Sequence, residues 1–223
     1  MIGYYDYTVI LTYSSVISAT VGIFLALLGT QHPYLATFCL LFCGLCDAFD
    51  GRVARRKNNR SEDMCSFGVQ IDSLSDLLAF GILPACIGYS MWENMYAQHG
   101  GFQLPGVLIL VISCLYVLGA LIRLAYFNVT EEQRQKEESG CRKYYQGLPV
   151  TSAALIFPTV ALLEELLPGN NNWIYYSVML LTSVLFVANF KLRKPGFKVI
   201  LFMVGIGLME VILFLSIKFF AYA

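Results

Sequence analysis

Long apolar runs alternate with short polar connections along almost the whole chain. An α-helix needs about 20 mostly apolar residues to cross a hydrocarbon core of about 30 Å, and seven runs approach or exceed that length. Each run is continuous, whereas a transmembrane β-barrel has an alternating pattern. We therefore predict one all-α, polytopic membrane domain over residues 1–223, with spans at residues 9–29, 33–54, 69–92, 105–127, 149–167, 173–190 and 197–220.

Composition and charge placement agree with this prediction. Hydrophobic residues make up 57% of the chain and charged residues 13%, whereas about a quarter of a soluble domain is charged. Fourteen of the 15 Lys and Arg residues lie at 52–60, 123–143 and 191–198, after the second, fourth and sixth spans. Because basic loops favour the cytoplasmic side, we predict a cytoplasmic N terminus and an external C terminus. No targeting segment is evident, which favours a prokaryotic plasma membrane, and the net charge of zero gives no sign of a nucleic-acid partner.

The second span ends in an unusual set of polar and small residues. Asp47, Asp50, Gly51, Ala54 and Arg55 follow one another at i, i+3, i+4, i+7 and i+8. Residues with this spacing lie along one stripe of an α-helix. Both carboxylates, both small residues and the arginine are therefore expected to face the same neighbour.

The third span repeats the arrangement, with Gly68, Asp72 and Asp76 at i, i+4 and i+8. If the two helices are antiparallel neighbours, four carboxylates converge at their cytoplasmic end. Unpaired charges there cost several kcal/mol, so the acids must be protonated or neutralised by cations. Two divalent ions would balance four carboxylates, and oxygen ligands favour Mg²⁺, Mn²⁺ or Ca²⁺. With an arginine suited to phosphate, the set indicates metal-assisted phosphoryl transfer, and helix caps or an ion path are the alternative.

The spacing D-x-x-D-G-x-x-A-R, then G-x-x-x-D-x-x-x-D, resembles the signature of the CDP-alcohol phosphotransferases. The resemblance implies a six-helix membrane bundle, here with a seventh helix added, and a homodimer. Three further stretches are similar to family members that use serine: IDSLSDLLAFGILP at 71–84, RLAYFNV at 123–129 and YQGLPVTSAA at 145–154. Twelve residues separate the arginine from the glycine where the family usually has eight, which predicts a longer polar linker over residues 56–67 and an intact site.

The resemblance also implies a role for each acid. Asp47, Asp50 and Asp72 would hold two divalent cations, and Asp76 would contribute at the edge of this metal site. Asp76 would in addition act as the general base that takes the proton of the acceptor alcohol. The alcohol would attack the β-phosphorus of a CDP-activated donor, and CMP would leave.

The same family pattern implies a nucleotide site beside the acids. Gly51 and Ala54 would let the cytidine moiety lie against the helix, and Arg55 would hold a diphosphate oxygen. Gly68 belongs to the same motif and is expected at the nucleotide. Thr12, near the cytoplasmic end of the first span, would offer a hydroxyl to the bound ligand.

The acceptor site is expected around Arg123 and Asn128. A serine carboxylate requires a cation in reach, and Arg123 could face the cavity or extend to the membrane surface. It is the one cation within a span near the site, which favours a singly anionic acceptor. The expected substrates are CDP-diacylglycerol and L-serine, with glycerol 3-phosphate, inositol phosphate or choline as alternative acceptors. A divalent-cation carrier is the alternative from another class. Glu210, the one acid in the last span, has no role in either reading and is expected to be paired at a helix interface.

Overall fold

The computed structural model describes residues 7–28, 33–55, 61–98, 104–137, 144–167, 172–193 and 196–222. All seven predicted apolar runs form helices, which confirms the all-α architecture and the additional seventh helix. The helices are α1 Ile10–Leu27, α2 Pro33–Arg55, α3 Glu62–Asp76, α4 Leu83–Gln98, α5 Gly106–Glu137, α6 Ala153–Leu166, α7 Asn172–Val187 and α8 Phe197–Tyr222. A π-helical segment, Leu77–Ile82, joins α3 to α4, so these three elements form one continuous rod. Short 3₁₀ turns at Tyr7–Val9 and Val150–Ser152 precede α1 and α6.

Within the described ranges, five helical segments are long and apolar enough to cross a membrane. They are Ile10–Leu27, Pro33–Val53, Asp63–Asn94, Gly106–Arg134 and Phe197–Ile217. The helix α7 is apolar but has 16 residues, and α6 has 14. The protein is therefore a multi-pass membrane protein, while a full crossing by α6 and α7 stays a prediction.

Two of the predicted spans lie within helical stretches that are longer than the spans themselves. The helix that contains the third predicted span, α3, begins at Glu62 rather than at residue 69. Its start is capped by Ser61, whose side chain accepts a hydrogen bond of 3.2 Å from the backbone N–H of Met64. Residues 62–67, expected in a polar linker, are therefore helical, and residues 56–60 lie outside the described part. The fourth predicted span ended at residue 127, whereas its helix, α5, continues to Glu137. Hydropathy marks only the apolar part of a helix, whereas capping decides where it begins.

A small antiparallel sheet, which the sequence analysis did not predict, joins two connections on one end of the bundle. Strand β1, Tyr144–Gln146, pairs with β2, Lys191–Arg193, and Tyr145 lies opposite Leu192. The chain turns after β1 at Gly147, whose φ of +76° favours glycine. The sheet therefore fixes the segment before α8 against the segment before α6.

The π-helical segment has a local cause in the sequence. Pro84 has no backbone N–H, so the carbonyl of Phe80 lacks its usual i+4 donor. The hydroxyl of Tyr116 on α5 donates to that carbonyl instead, at 2.5 Å, and the N–H of Leu83 bonds five residues back to Leu78. Single π-turns of this kind often occur at functional sites, and this one begins directly after Asp76.

Helix packing brings the acid-bearing helices together and leaves a space beside them. The helix α1 packs against α2, α3 and α4, and α8 packs against α2 and α6. At Gly44 the approach of α2 to α6 is so close that a Cβ would lie 2.5 Å from the Cβ of Ala154. A buried aromatic group formed by Tyr116, Phe157 and Phe186 fills the core between α5, α6 and α7.

Candidate active site

Four aspartates from two helices converge in the structure. Asp47 and Asp50 lie one turn apart near the end of α2, and Asp72 and Asp76 lie one turn apart at the end of α3. Carboxylate oxygens of Asp47, Asp50 and Asp72 lie within 4.8 Å of one another. Asp76, one turn after Asp72, lines the same cavity as the other three. The stripes that the sequence predicted on separate helices therefore face each other.

The three clustered carboxylates fit a metal ion by their chemistry. Each offers an oxygen, and hard cations such as Mg²⁺, Mn²⁺ and Ca²⁺ prefer oxygen ligands. Like charges at this spacing repel strongly away from bulk water, so the cluster needs a positive counterpart. The arrangement can therefore hold at least one divalent cation.

The acids line one end of a large cavity. Its volume is about 1070 Å³, and all four aspartates and Gly51 contribute to its wall. The rest of the wall consists mostly of apolar side chains from α2, α6 and α8. The cavity therefore combines a polar, charged region with a long apolar region, which suits an amphiphilic ligand.

Arg123 lies in the cavity wall rather than extending to the membrane surface. Its side chain is only 5% exposed, and its Nε donates a hydrogen bond of 3.2 Å to the carbonyl of Leu148. The guanidinium carbon also lies 5.7 Å from the centre of the Phe127 ring. These contacts hold the positively charged side chain of Arg123 in the wall of the cavity that the four acids line.

Two further arginines, which the sequence did not single out as site residues, belong to the cavity wall: Arg52 and Arg193. The guanidinium of Arg52 lies 4.1 Å from the centre of the Phe197 ring, at the start of α8. Arg193 reaches the wall from β2. Because Arg52 belongs to α2, the expectation that Arg123 is the one cation within a span near the site is wrong, and a singly anionic acceptor no longer follows from it. Arg52 directly follows Gly51 of the motif, and this position could have marked it as a site residue. Arg193 could not have been found in this way, because nothing in the sequence predicted β2, the strand to which it belongs.

Three other predicted site residues do not line this cavity in the structure. The side chain of Asn128 accepts a hydrogen bond of 3.0 Å from Ser73 and so links α5 to α3. Thr12 is buried between helices, and its carbonyl accepts a hydrogen bond of 3.4 Å from Ser75. Gly68 lies one turn before Asp72 on α3, away from the cavity wall. Ala54 and Arg55 occupy the last turn of α2, and their side chains lie outside the described residues.

Comparisons with known proteins agree with this geometry. The family model described as CDP-alcohol phosphatidyltransferase matches residues 8–188, which include α1 to α7 and all four aspartates but neither β2 nor α8. No solved structure matches the chain significantly.

Curated relatives carry related names. A CDP-diacylglycerol–serine O-phosphatidyltransferase of Helicobacter pylori is 29% identical over 93% of this chain and 79% of its own length. The Saccharomyces cerevisiae protein of the same name is 38% identical over 58% of this chain and 43% of its own length. An archaetidylserine synthase of Methanothermobacter thermautotrophicus is 32% identical over 62% of this chain and 50% of its own length. Since the family match covers most of the chain and both acid-bearing helices, the chain belongs to the CDP-alcohol phosphatidyltransferase family.

Proposed function

We propose that the protein transfers the phosphatidyl group of CDP-diacylglycerol to the hydroxyl of L-serine, giving phosphatidylserine and CMP. The convergence of Asp47, Asp50, Asp72 and Asp76 at the polar end of an amphiphilic cavity carries this proposal. The names of the relatives from Helicobacter pylori and Saccharomyces cerevisiae support serine as the acceptor.

The reaction is a substitution at the β-phosphorus of the donor. The serine hydroxyl oxygen forms a bond to that phosphorus, the bond to the oxygen bridging the two phosphates breaks, and CMP leaves with that oxygen. Asp76 takes the hydroxyl proton as the new bond forms, because a neutral alcohol is a poor nucleophile at neutral pH. The position of Asp76 in the cavity wall, next to the other acids, supports this role.

Asp47, Asp50 and Asp72 are proposed to hold two divalent cations, Mg²⁺ or Mn²⁺, with Ca²⁺ also compatible with the ligands. Bound cations would neutralise the diphosphate and the acids and so stabilise charge on the leaving group. Gly51 lines the cavity without a side chain, which leaves room for the cytidine moiety. The nucleotide contacts of Ala54, Arg55 and Gly68 remain predictions from the family pattern. A nucleotide contact by Thr12 and an acceptor contact by Asn128 remain predictions from their positions in the sequence.

The distribution of basic residues and the family of the protein indicate where it acts in the cell. We place the active site at the cytoplasmic face of a plasma membrane, because the basic connections at 52–60, 123–143 and 191–198 favour the cytoplasm. The family resemblance supports a homodimer.

An acceptor panel tests the proposed function. Purified protein is supplied with CDP-diacylglycerol, Mn²⁺ and one alcohol at a time, and CMP release is measured. We expect CMP and phosphatidylserine with L-serine. Release with choline, inositol phosphate or glycerol 3-phosphate alone would contradict the acceptor assignment. No release with any alcohol, together with Mn²⁺ flux into vesicles, would favour a cation carrier instead.

A second candidate acceptor has a specific observation in its favour. Arg52 and Arg193 line the cavity together with Arg123, and several cations suit a phosphorylated alcohol such as inositol phosphate or glycerol 3-phosphate. The names of the relatives favour serine over these. The acceptor panel separates the two directly.

Replacing Arg123 with glutamine should raise the KM for serine by roughly 10- to 100-fold and change kcat little. Loss of a charge-assisted hydrogen bond costs about 1.5–3 kcal/mol, which corresponds to that factor. Arg134→Gln, on the same helix but paired with Glu131, serves as the matched control and should leave both constants unchanged. A fall in kcat with an unchanged KM for serine would show that Arg123 does not hold the acceptor.

A further inference from the structure

The helix α8 forms one wall of the apolar part of the cavity. Its lining residues recur every three or four positions along a single face and include Phe197, Ile200, Val204, Gly207, Val211 and Leu215. From the first to the last of these the helix rises about 27 Å, at about 1.5 Å per residue. The wall therefore extends through most of a hydrocarbon core of about 30 Å.

Three contacts fix α8 against the rest of the bundle. At its start, the Phe197 ring lies under the guanidinium of Arg52. In its middle, Glu210 is hydrogen-bonded to Thr159 of α6 and is only 3% exposed. Further along, the Phe214 ring lies 5.9 Å from that of Phe38 on α2. These contacts set the rotation of α8 in the structure, with its lining face towards the cavity.

The buried glutamate acts as an anchor in this arrangement. Its second oxygen, Glu210 Oε2, has no hydrogen-bond partner among the described residues. A carboxyl group in such a place is costly within a membrane and is retained when it has a role. Here the role is to hold α8 to α6 at the level of the cavity, which also gives the partner that the sequence analysis required for Glu210.

The cavity is continuous from the acids to this apolar wall, and that continuity identifies its occupant. The polar end fits the diphosphate of a CDP-activated lipid under the proposed function. The acyl chains of the same molecule must then leave the β-phosphorus along the apolar part, between α2, α6 and α8. Because α8 lies beyond the residues that the family model matches, this wall is an addition to the family core.

We propose that α8 completes an acyl-chain site for the lipid donor and that Gly207 controls how much chain the site admits. This inference rests on the proposed function. A Cβ at Gly207 would lie 3.5 Å from Leu41 and 3.6 Å from Leu155, which is ordinary contact, so a methyl group fits and a longer side chain must enter the cavity. Gly207 therefore selects donors by the volume of their acyl chains.

The test compares Gly207→Leu with Gly205→Leu. Gly205 lies on the same helix, is exposed, and a Cβ there would meet no described atom within 4 Å. CMP release is measured with dioctanoyl and dioleoyl CDP-diacylglycerol at saturating serine and Mn²⁺. For Gly207→Leu we expect the KM for the dioleoyl donor to rise about tenfold or more, because several methylene groups of the long acyl chains can no longer be buried in the cavity. The KM for the dioctanoyl donor should rise by less than about threefold. Gly205→Leu should match the wild type with both donors.

Equal effects of Gly207→Leu on the two donors, or none on either, would overturn the inference. Val211→Phe, one turn further along the same wall, provides a second variant should Gly207→Leu fail to fold, and the same chain-length selectivity is expected. Thermal stabilisation by the two donors gives a readout that does not require turnover. Absence of CMP release by the wild type would refute the proposed function. Even in that case, the acyl-chain site would be supported if the dioleoyl donor stabilised the wild type and no longer stabilised Gly207→Leu, while the dioctanoyl donor stabilised both.

Discussion

Replacing Asp76 with asparagine should lower the rate of CMP release by about 10²- to 10⁴-fold, the usual contribution of a general base. The amide keeps the size of the side chain but cannot take the proton of the serine hydroxyl. The measurement is kcat with CDP-diacylglycerol and serine at saturating Mn²⁺. Donor binding should persist, because the other three acids and the cavity wall remain.

Asp63→Asn is the matched control for this variant. Asp63 is an exposed acid on the same helix, between three and four turns before Asp76 and away from the cavity. Its replacement should change kcat by less than about twofold, as for an ordinary surface substitution. If raising the Mn²⁺ concentration fully restored kcat in the Asp76→Asn enzyme, the loss would come from the contribution of Asp76 to the metal site, and the general-base role would be contradicted.

Removing divalent cations should abolish CMP release, and adding Mg²⁺ or Mn²⁺ should restore it. Asp50→Asn should raise the metal concentration needed for half-maximal activity by at least about tenfold, since even indirect partners of a metal contribute 10- to 100-fold to affinity. Direct binding of Mn²⁺, followed by its electron paramagnetic resonance signal, should weaken in parallel. Both measurements are made on the purified protein in detergent.

Asp63→Asn again provides the control and should keep the metal affinity of the wild type. Full activity in the presence of excess chelator would contradict the proposed metal site. Unchanged Mn²⁺ binding in Asp50→Asn would instead show that this carboxylate is not a ligand. The metal variant and the Asp76 variant are thus distinguished by their response to added cation.

Helical periodicity was enough to predict which acids share a face. Asp47 and Asp50 on one helix and Asp72 and Asp76 on another were assigned to two stripes from spacing alone, and the structure brings the stripes together. Periodicity could not predict that Asn128 bonds to Ser73 instead of facing the cavity. That outcome depends on how α5 is rotated against α3, which no local pattern encodes.

Helix ends were predicted less well, for a physical reason. The apolar content of α3 begins near residue 69, but the Ser61 cap starts the helix at Glu62, before that apolar run. The π-helical segment was also missed, although Pro84 was visible as a residue without an N–H. Its consequence depended on the Tyr116 hydroxyl, which is supplied by a helix distant in sequence.

The sequence by itself determined the membrane architecture and the acidic pairs, because hydropathy and the 3.6-residue period are properties of single helices. Tertiary structure alone decided which side chains share the cavity. It placed Arg52 and Arg193 in the wall beside Arg123, and it turned one face of α8 towards the apolar part of the cavity. These features depend on the crossing and rotation of helices far apart along the chain, and contacts such as that between Thr159 and Glu210 set them only once the chain has folded.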